Sequence, residues 1–85
     1  MISNADVQAL AYCLKAINVG ELGGKSSSDE ARLKVRTIGE VIHALYGLQG
    51  LDRVYQACGH DEEGNVNRLG IVMDKDWDGI GSWLA

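Results

Sequence analysis

The sequence predicts an all-α fold, a small bundle of three to four helices closed by a tryptophan-bearing C-terminal tail. Three observations predict it. Apolar residues recur at three- and four-residue spacing over most of the chain, the period of one helix face. The 85 residues include no proline, so nothing blocks a helix interior. Eleven glycines punctuate the chain, several of them at the ends of the periodic stretches.

The first helix is expected over about 4–19. Ser3 can accept from an amide three residues on, and Asp6 adds a carboxylate to the positive end of the helix dipole. Val7, Leu10, Leu14 and Ile17 form the inner stripe, and Gly20 supplies the stop. Residues 20–28 hold three serines and three glycines, a flexible joint. Gly20 to Ser26 is one residue short of a phosphate loop and follows a helix where that motif needs a strand, so a linker is the better account.

Ser27 and Glu30 make a second capping box, opening a helix over about 28–46. Ala31, Val35, Ile38, Ile42 and Leu45 step along its apolar face, widened by Leu33, Val41, Tyr46 and Leu48. This should be the longest and most central helix, with Ile38, Gly39, Ile42 and Leu45 as packing positions. Gly39 costs a helix about 1 kcal/mol relative to alanine. Its place on the inner face suggests a notch that admits a neighbouring helix or an indole ring. A connection over Gly47–Gly50 leads to a short helix over about 51–58, with Leu51, Val54, Tyr55 and Cys58 turned inward. After a polar loop at 60–65, a fourth helix over about 65–76 is expected. Gly70 and the Ile71-Val72 pair weaken that expectation, and a short strand over 69–73 competes with it.

Several functions are disfavoured by composition. Net charge is −4, and the eight Lys and Arg residues are spread along the chain. Arg32, Lys34 and Arg36 fan around a helix instead of forming one stripe, so no footprint for nucleic acid stands out. A helix-turn-helix reading of 27–58, hence a DNA-binding regulator, is a weak alternative because its reader helix is mostly apolar. No apolar run is long enough to span a bilayer, and no leader-like segment opens the chain. Cys13 and Cys58, both in periodic segments, read as small buried hydrophobes, and the expected location is the cytoplasm. Cys58, His60 and the acids after them make only a fragment of a zinc site. His43, beside Glu40 on the helix surface, suggests a simple pair. No catalytic constellation is found, so the protein is not expected to be an enzyme.

The tail, residues 74–85, carries both tryptophans and admits two accounts. Asp74, Asp76, Asp78 and Gly79 spell the opening of a calcium loop, with oxygens at alternate positions and a glycine at the sixth. The loop then lacks its bidentate glutamate, since the twelfth position is Ala85. The other account is a clasp in which Trp77, Gly79, Ile80, Gly81 and Trp83 fold back on the core and the acids stay in water. Trp77 continues the apolar stripe of the fourth helix, which favours the clasp; no cofactor is then needed, with calcium as the alternative. An apolar pocket lined by Trp77, Trp83 and Tyr46 is a further, weaker possibility.

Arg36-Thr37-Ile38-Gly39 on a helix and the terminal Trp77-Asp78-Gly79-Ile80-Gly81-Ser82-Trp83 resemble a set of short, uncharacterised bacterial proteins that share these two signatures. The resemblance covers roughly the last two-thirds of the chain. It implies a small helical fold of unknown function and makes Asp78–Gly81 a structural turn. Together with a wide apolar face on a domain too small to cover it, it leaves a self-associating, non-catalytic interaction module, most simply a homodimer, as the expected function.

Overall fold

In the computed structural model, which describes residues 2–17 and 29–83, three helices follow one another: α1 (Asn4–Lys15), α2 (Asp29–Cys58) and α3 (Arg68–Asp76). The glycine- and serine-rich joint expected at 20–28, with its near-phosphate-loop stretch and Ser27, lies outside the described residues. So do the last two residues expected for the first helix, 18 and 19.

Ser3 starts α1 as its sequence suggests: extended itself, it accepts at Oγ from the Asp6 amide at 3.1 Å. Val7, Ala11 and Leu14 are buried. The helix closes earlier than position 19 because its last turn tightens, with the Ile17 amide donating to the carbonyl of Leu14 three residues back. Cys13 is exposed, contrary to expectation, because it sits about 100° round the helix from Leu14 on the outer side.

The helices expected at 28–46 and 51–58 are one element with a break. Gly47 alone leaves helical geometry, at φ 72°, where a side chain would be strained. Leu48 to Gly50 remain helical, so the expected connection shrinks to one residue. Gly50 has its own reason to lack a side chain: a Cβ there would stand 2.5 Å from Cβ of Tyr46. Beyond the break, Leu51, Val54, Tyr55 and Cys58 are buried as predicted. Arg53, in the same arm, donates to the carbonyl of Ile2 at 2.7 Å and to Asn4 Oδ1, fastening the N-terminus.

Between α2 and α3 the polar loop is more ordered than a solvated connection. Asp61 Oδ1 accepts from the amides of Glu63 and Asn65, both at 2.9 Å. His60 and Val66 form an isolated antiparallel bridge across it. That bridge delays α3 to Arg68. Asn67 caps it, accepting from the Gly70 amide at 2.8 Å while its Nδ2 donates to the carbonyl of Cys58 at 3.0 Å. The strand alternative over 69–73 gives way to helix. Gly70, which weakened that expectation, is there for packing: a Cβ would lie 2.2 Å from the Gly59 carbonyl oxygen.

α1 packs on α2 and α2 on α3, so α2 is central as expected. Trp77, Leu14, Ile42, Leu51, Met73, Val35, Val54 and Cys58, drawn from all three helices and the tail, are the most deeply enclosed side chains among the described residues. Of the four predicted packing positions, Gly39 and Ile42 are buried and Ile38 is half-buried. Leu45 is 67% exposed. It stands 60° round α2 from Ile42, on a flank that lies beside α1 instead of beneath it.

Candidate functional site

Two regions stand out, the tail and an apolar seam between α1 and α2. The tail begins where α3 ends. Trp77, wholly enclosed, closes the helix with its amide bonded to the carbonyl of Met73. Its indole lies in the notch at Gly39, where a Cβ would stand 2.3 Å from Nε1, and Nε1 donates to the carbonyl of Val35 at 2.9 Å. The notch inferred from the sequence is therefore filled by an indole. Two turns follow, carried by Gly79 and Gly81 at φ 89° and 56°. They bury Ile80 and bring Trp83 edge-on to Trp77, with ring centroids 5.3 Å apart. His43 does more than sit on the helix surface: its ring closes over Gly81, where a Cβ would meet Nε2 at 2.5 Å.

The clasp account leaves the three acids of this stretch, Asp74, Asp76 and Asp78, in water. Asp76 does not lie there; it is 8% exposed. Arg32 holds it with Nη2 donating to Oδ1 at 2.8 Å and Nε at 3.1 Å. That pairing, the hydrogen bond first and the charge second, raises the Arg32 guanidinium above its already high ordinary pKa. Arg36 donates to the carbonyls of Asp76 at 2.8 Å and Asp78 at 3.0 Å, the negative end of the α3 dipole. Asp74 accepts from the Tyr55 hydroxyl at 2.9 Å. Two of the three acids of the calcium alternative, Asp74 and Asp76, thus turn to different partners, Tyr55 and Arg32. Among the described residues no group of three His, Cys, Asp or Glu side chains could hold a metal ion.

Tyr55 links the tail to α2. The rings of Trp83 and His60 both meet it edge-on, at 5.3 Å and 4.9 Å. Tyr46, proposed as the third wall of a tryptophan pocket, lies elsewhere: it donates to Asp6 at 3.1 Å and lines the α1–α2 seam. Burial pushes Tyr55 up to about 12, with the bond to Asp74 adding to it. Burial also pushes Cys58 up to about 11, its thiol donating to the carbonyl of Val54. Both groups keep their protons near neutral pH.

These shifts carry a pH dependence. Unfolded, Cys58 titrates near 9.0 and Tyr55 near 10.0; folded, both hold their protons to higher pH. Between each group's unfolded and folded values the native state binds more protons, so stability falls as pH rises. Their contribution is complete below about pH 9 and disappears as pH climbs through about 11 and then about 12. Urea unfolding from pH 8 to 11.5 is expected to show this decline, shallower above pH 10 in Tyr55→Phe. A flat profile would contradict it.

The second region is the seam. One part is lined by Asp6, Ala9, Leu10, Val41, Ile42, Leu45 and Tyr46, the other by Cys13, Ile17, Glu30, Leu33, Lys34, Thr37 and Ile38. Their order along the antiparallel helices makes them two halves of one strip. Leu33, Thr37, Val41 and Leu45 recur every fourth residue, one ridge of the helix surface. Its three large apolar members are 65%, 49% and 67% exposed. Sequence reasoning assigned these leucines and the valine to the core face because periodicity locates a stripe without saying how much of it neighbouring helices will cover.

No family model matches the chain, and neither a curated protein nor a solved structure matches it.

Proposed function

We propose that the protein is a non-catalytic interaction module that self-associates, a homodimer in its simplest form, acting in the cytoplasm. The observation that carries this reading is the Leu33–Thr37–Val41–Leu45 ridge. Its apolar members stand in solvent on a well-formed helix, beside further apolar groups of α1. Scattered exposed leucines are ordinary on a protein surface, whereas a continuous strip of them is the mark of a contact surface.

Other features fit. The chain buries a core on α2 that leaves one flank uncovered, and a domain of this size gains by covering it with a copy of itself. The chemically interesting groups are committed to the fold: Tyr55 and Cys58 hold their protons, and Asp76 is bound by Arg32. Arg32 and Arg36, central to any basic patch, serve the end of α3, which leaves little for a nucleic-acid partner. No helix among the described residues is long and apolar enough to cross a membrane. Two free thiols, one exposed and one buried, suit a reducing compartment.

Sedimentation equilibrium from about 10 to 300 μM tests the proposal, concentrations at which a micromolar interface is populated. A mass approaching twice 9.2 kDa is expected. A monomer throughout would remove it.

A further inference from the structure

Gly47 is the one glycine of α2 whose surroundings leave room for a side chain. At Gly39 and Gly50 a Cβ would collide with Trp77 or Tyr46, whereas at Gly47 nothing lies within 4 Å. Conformation alone therefore explains a glycine here: φ 72° with ψ −165° is a region of the backbone map that residues with a Cβ scarcely enter. The rest of α2, on both sides, is helical. The bend is sharp. A Cβ on Gly50 would meet Cγ2 of Ile42 at 3.1 Å, although eight residues of straight helix would separate the two by about 12 Å. A change of torsion at Gly47 alone would turn α2 into one straight helix, about 45 Å long.

Straightening carries 48–83 away from α1 and the first arm of α2. The bonds lost are those that join the two halves: Trp77 to Val35, Arg32 to Asp76, Arg36 to the carbonyls of Asp76 and Asp78, and Arg53 to Ile2. Each half keeps its own bonds, Tyr46 to Asp6 in the first, Tyr55 to Asp74 and Asn67 to Cys58 in the second. A single chain cannot straighten without baring its core. Two chains can, if each half packs on the complementary half of the other and remakes the same bonds.

We propose that Gly47 is a hinge between two states of this chain, the bent one described above and a dimer in which α2 is straight and residues 48–83 are exchanged between copies. Exchange of an identical element is a low-cost route to a dimer because it reuses contacts that the fold already makes. The corner at Gly47 opens on free space, so the two helices can run on past it. Leu45 and Leu48, exposed on either side of the corner, supply apolar surface where they cross. Glycine keeps the bent state dominant, being at home at φ 72° and a weak helix former. The exchange goes beyond the self-association proposed above, since it draws on bonds within the fold and not on the seam.

Gly47→Ala tests the hinge, because one methyl penalises the bend and favours the straight helix. D-alanine at the same position, introduced by chemical synthesis, does the reverse: its mirror-image preference suits φ 72° and opposes a right-handed helix. Labelled and unlabelled chains of each protein are unfolded together in urea, refolded, and studied by sedimentation and isotope-filtered NMR. For Gly47→Ala a mass of about twice 9.2 kDa is expected, with contacts from the Trp77 indole proton to the α-protons of Gly39 on the other chain. In the parent and the D-alanine protein the same contact is expected within one chain only. Association through the seam cannot produce it between chains, so the contact decides where mass alone does not. A Gly47→Ala protein whose Trp77 meets only its own Gly39 would overturn the proposal, whatever its mass. An unfolded Gly47→Ala would overturn it too, because the exchanged dimer keeps the bonds between the halves. Equal exchange in the D-alanine protein would show that the handedness of residue 47 does not govern the bend, and the hinge would fall.

Discussion

Replacing Trp77 by alanine is expected to destabilise the fold by about 3–5 kcal/mol, the range for removing a large aromatic from a close-packed core. The indole is fully enclosed and touches three parts of the molecule: the backbone at Gly39, the carbonyl of Val35 through Nε1, and the ring of Trp83. Its loss leaves a cavity between α2 and the tail and removes a buried donor. Small domains have total stabilities of about 5–10 kcal/mol, so this single change should consume about a third or more of the whole. Urea denaturation at neutral pH measures it. A cost below about 1 kcal/mol would mean that the tail is not held to the core as described.

What the sequence could and could not disclose follows from what periodicity measures. Apolar spacing reports which face of a helix is inward, and the buried series Val7, Ala11, Leu14 and Ala31, Val35, Ile42 follows it. Periodicity is blind to how far a partner helix reaches. For that reason Leu45, a member of the same stripe as Ile42, was expected inside and stands outside. It is blind also to interruptions of a single residue: Gly47 bends α2 without ending it, which no spacing rule distinguishes from a loop three residues longer. The caps were legible where a side chain bonds its own helix, as Ser3 does. Asn67 bonds its own helix in the same way, at the Gly70 amide, and was missed because the helix was expected to open near 65, before it.

The tail shows the same division. Trp77 could be placed inside because it continues the stripe of α3, and Gly79 and Gly81 could be read as turns. The acids could not be placed, because Asp74, Asp76 and Asp78 alternate in sequence in a way that suits either a cation or water. Their actual partners are Tyr55, Arg32 and, through backbone carbonyls, Arg36, 19 to 44 positions away. Long-range pairing of a charged group leaves no local trace. The expected burial of Cys13 failed for a related reason: its neighbours are apolar, but its own angle on the helix faces outward.

Gly39→Ala provides the sharpest test of the joint between α2 and the tail, because propensity and packing predict opposite signs. In an exposed helix the change would stabilise by about 1 kcal/mol. Here the added methyl would sit 2.3 Å from Nε1 of Trp77 and 2.5 Å from its Cδ1, well inside contact distance. The indole cannot easily yield, since Nε1 is bonded to Val35 and the ring is packed against Trp83. Overpacking of this kind costs about 1–3 kcal/mol, occasionally more, so packing should win and the variant should be less stable than the parent. The two positions touch and must therefore be coupled. In a Trp77→Ala background the methyl enters space already emptied, and Gly39→Ala is expected to turn neutral or stabilising, by up to about 1 kcal/mol. Unfolding free energies of the four proteins in this cycle measure the coupling directly. If the glycine substitution had the same effect with and without the indole, Gly39 would owe its place to something other than Trp77.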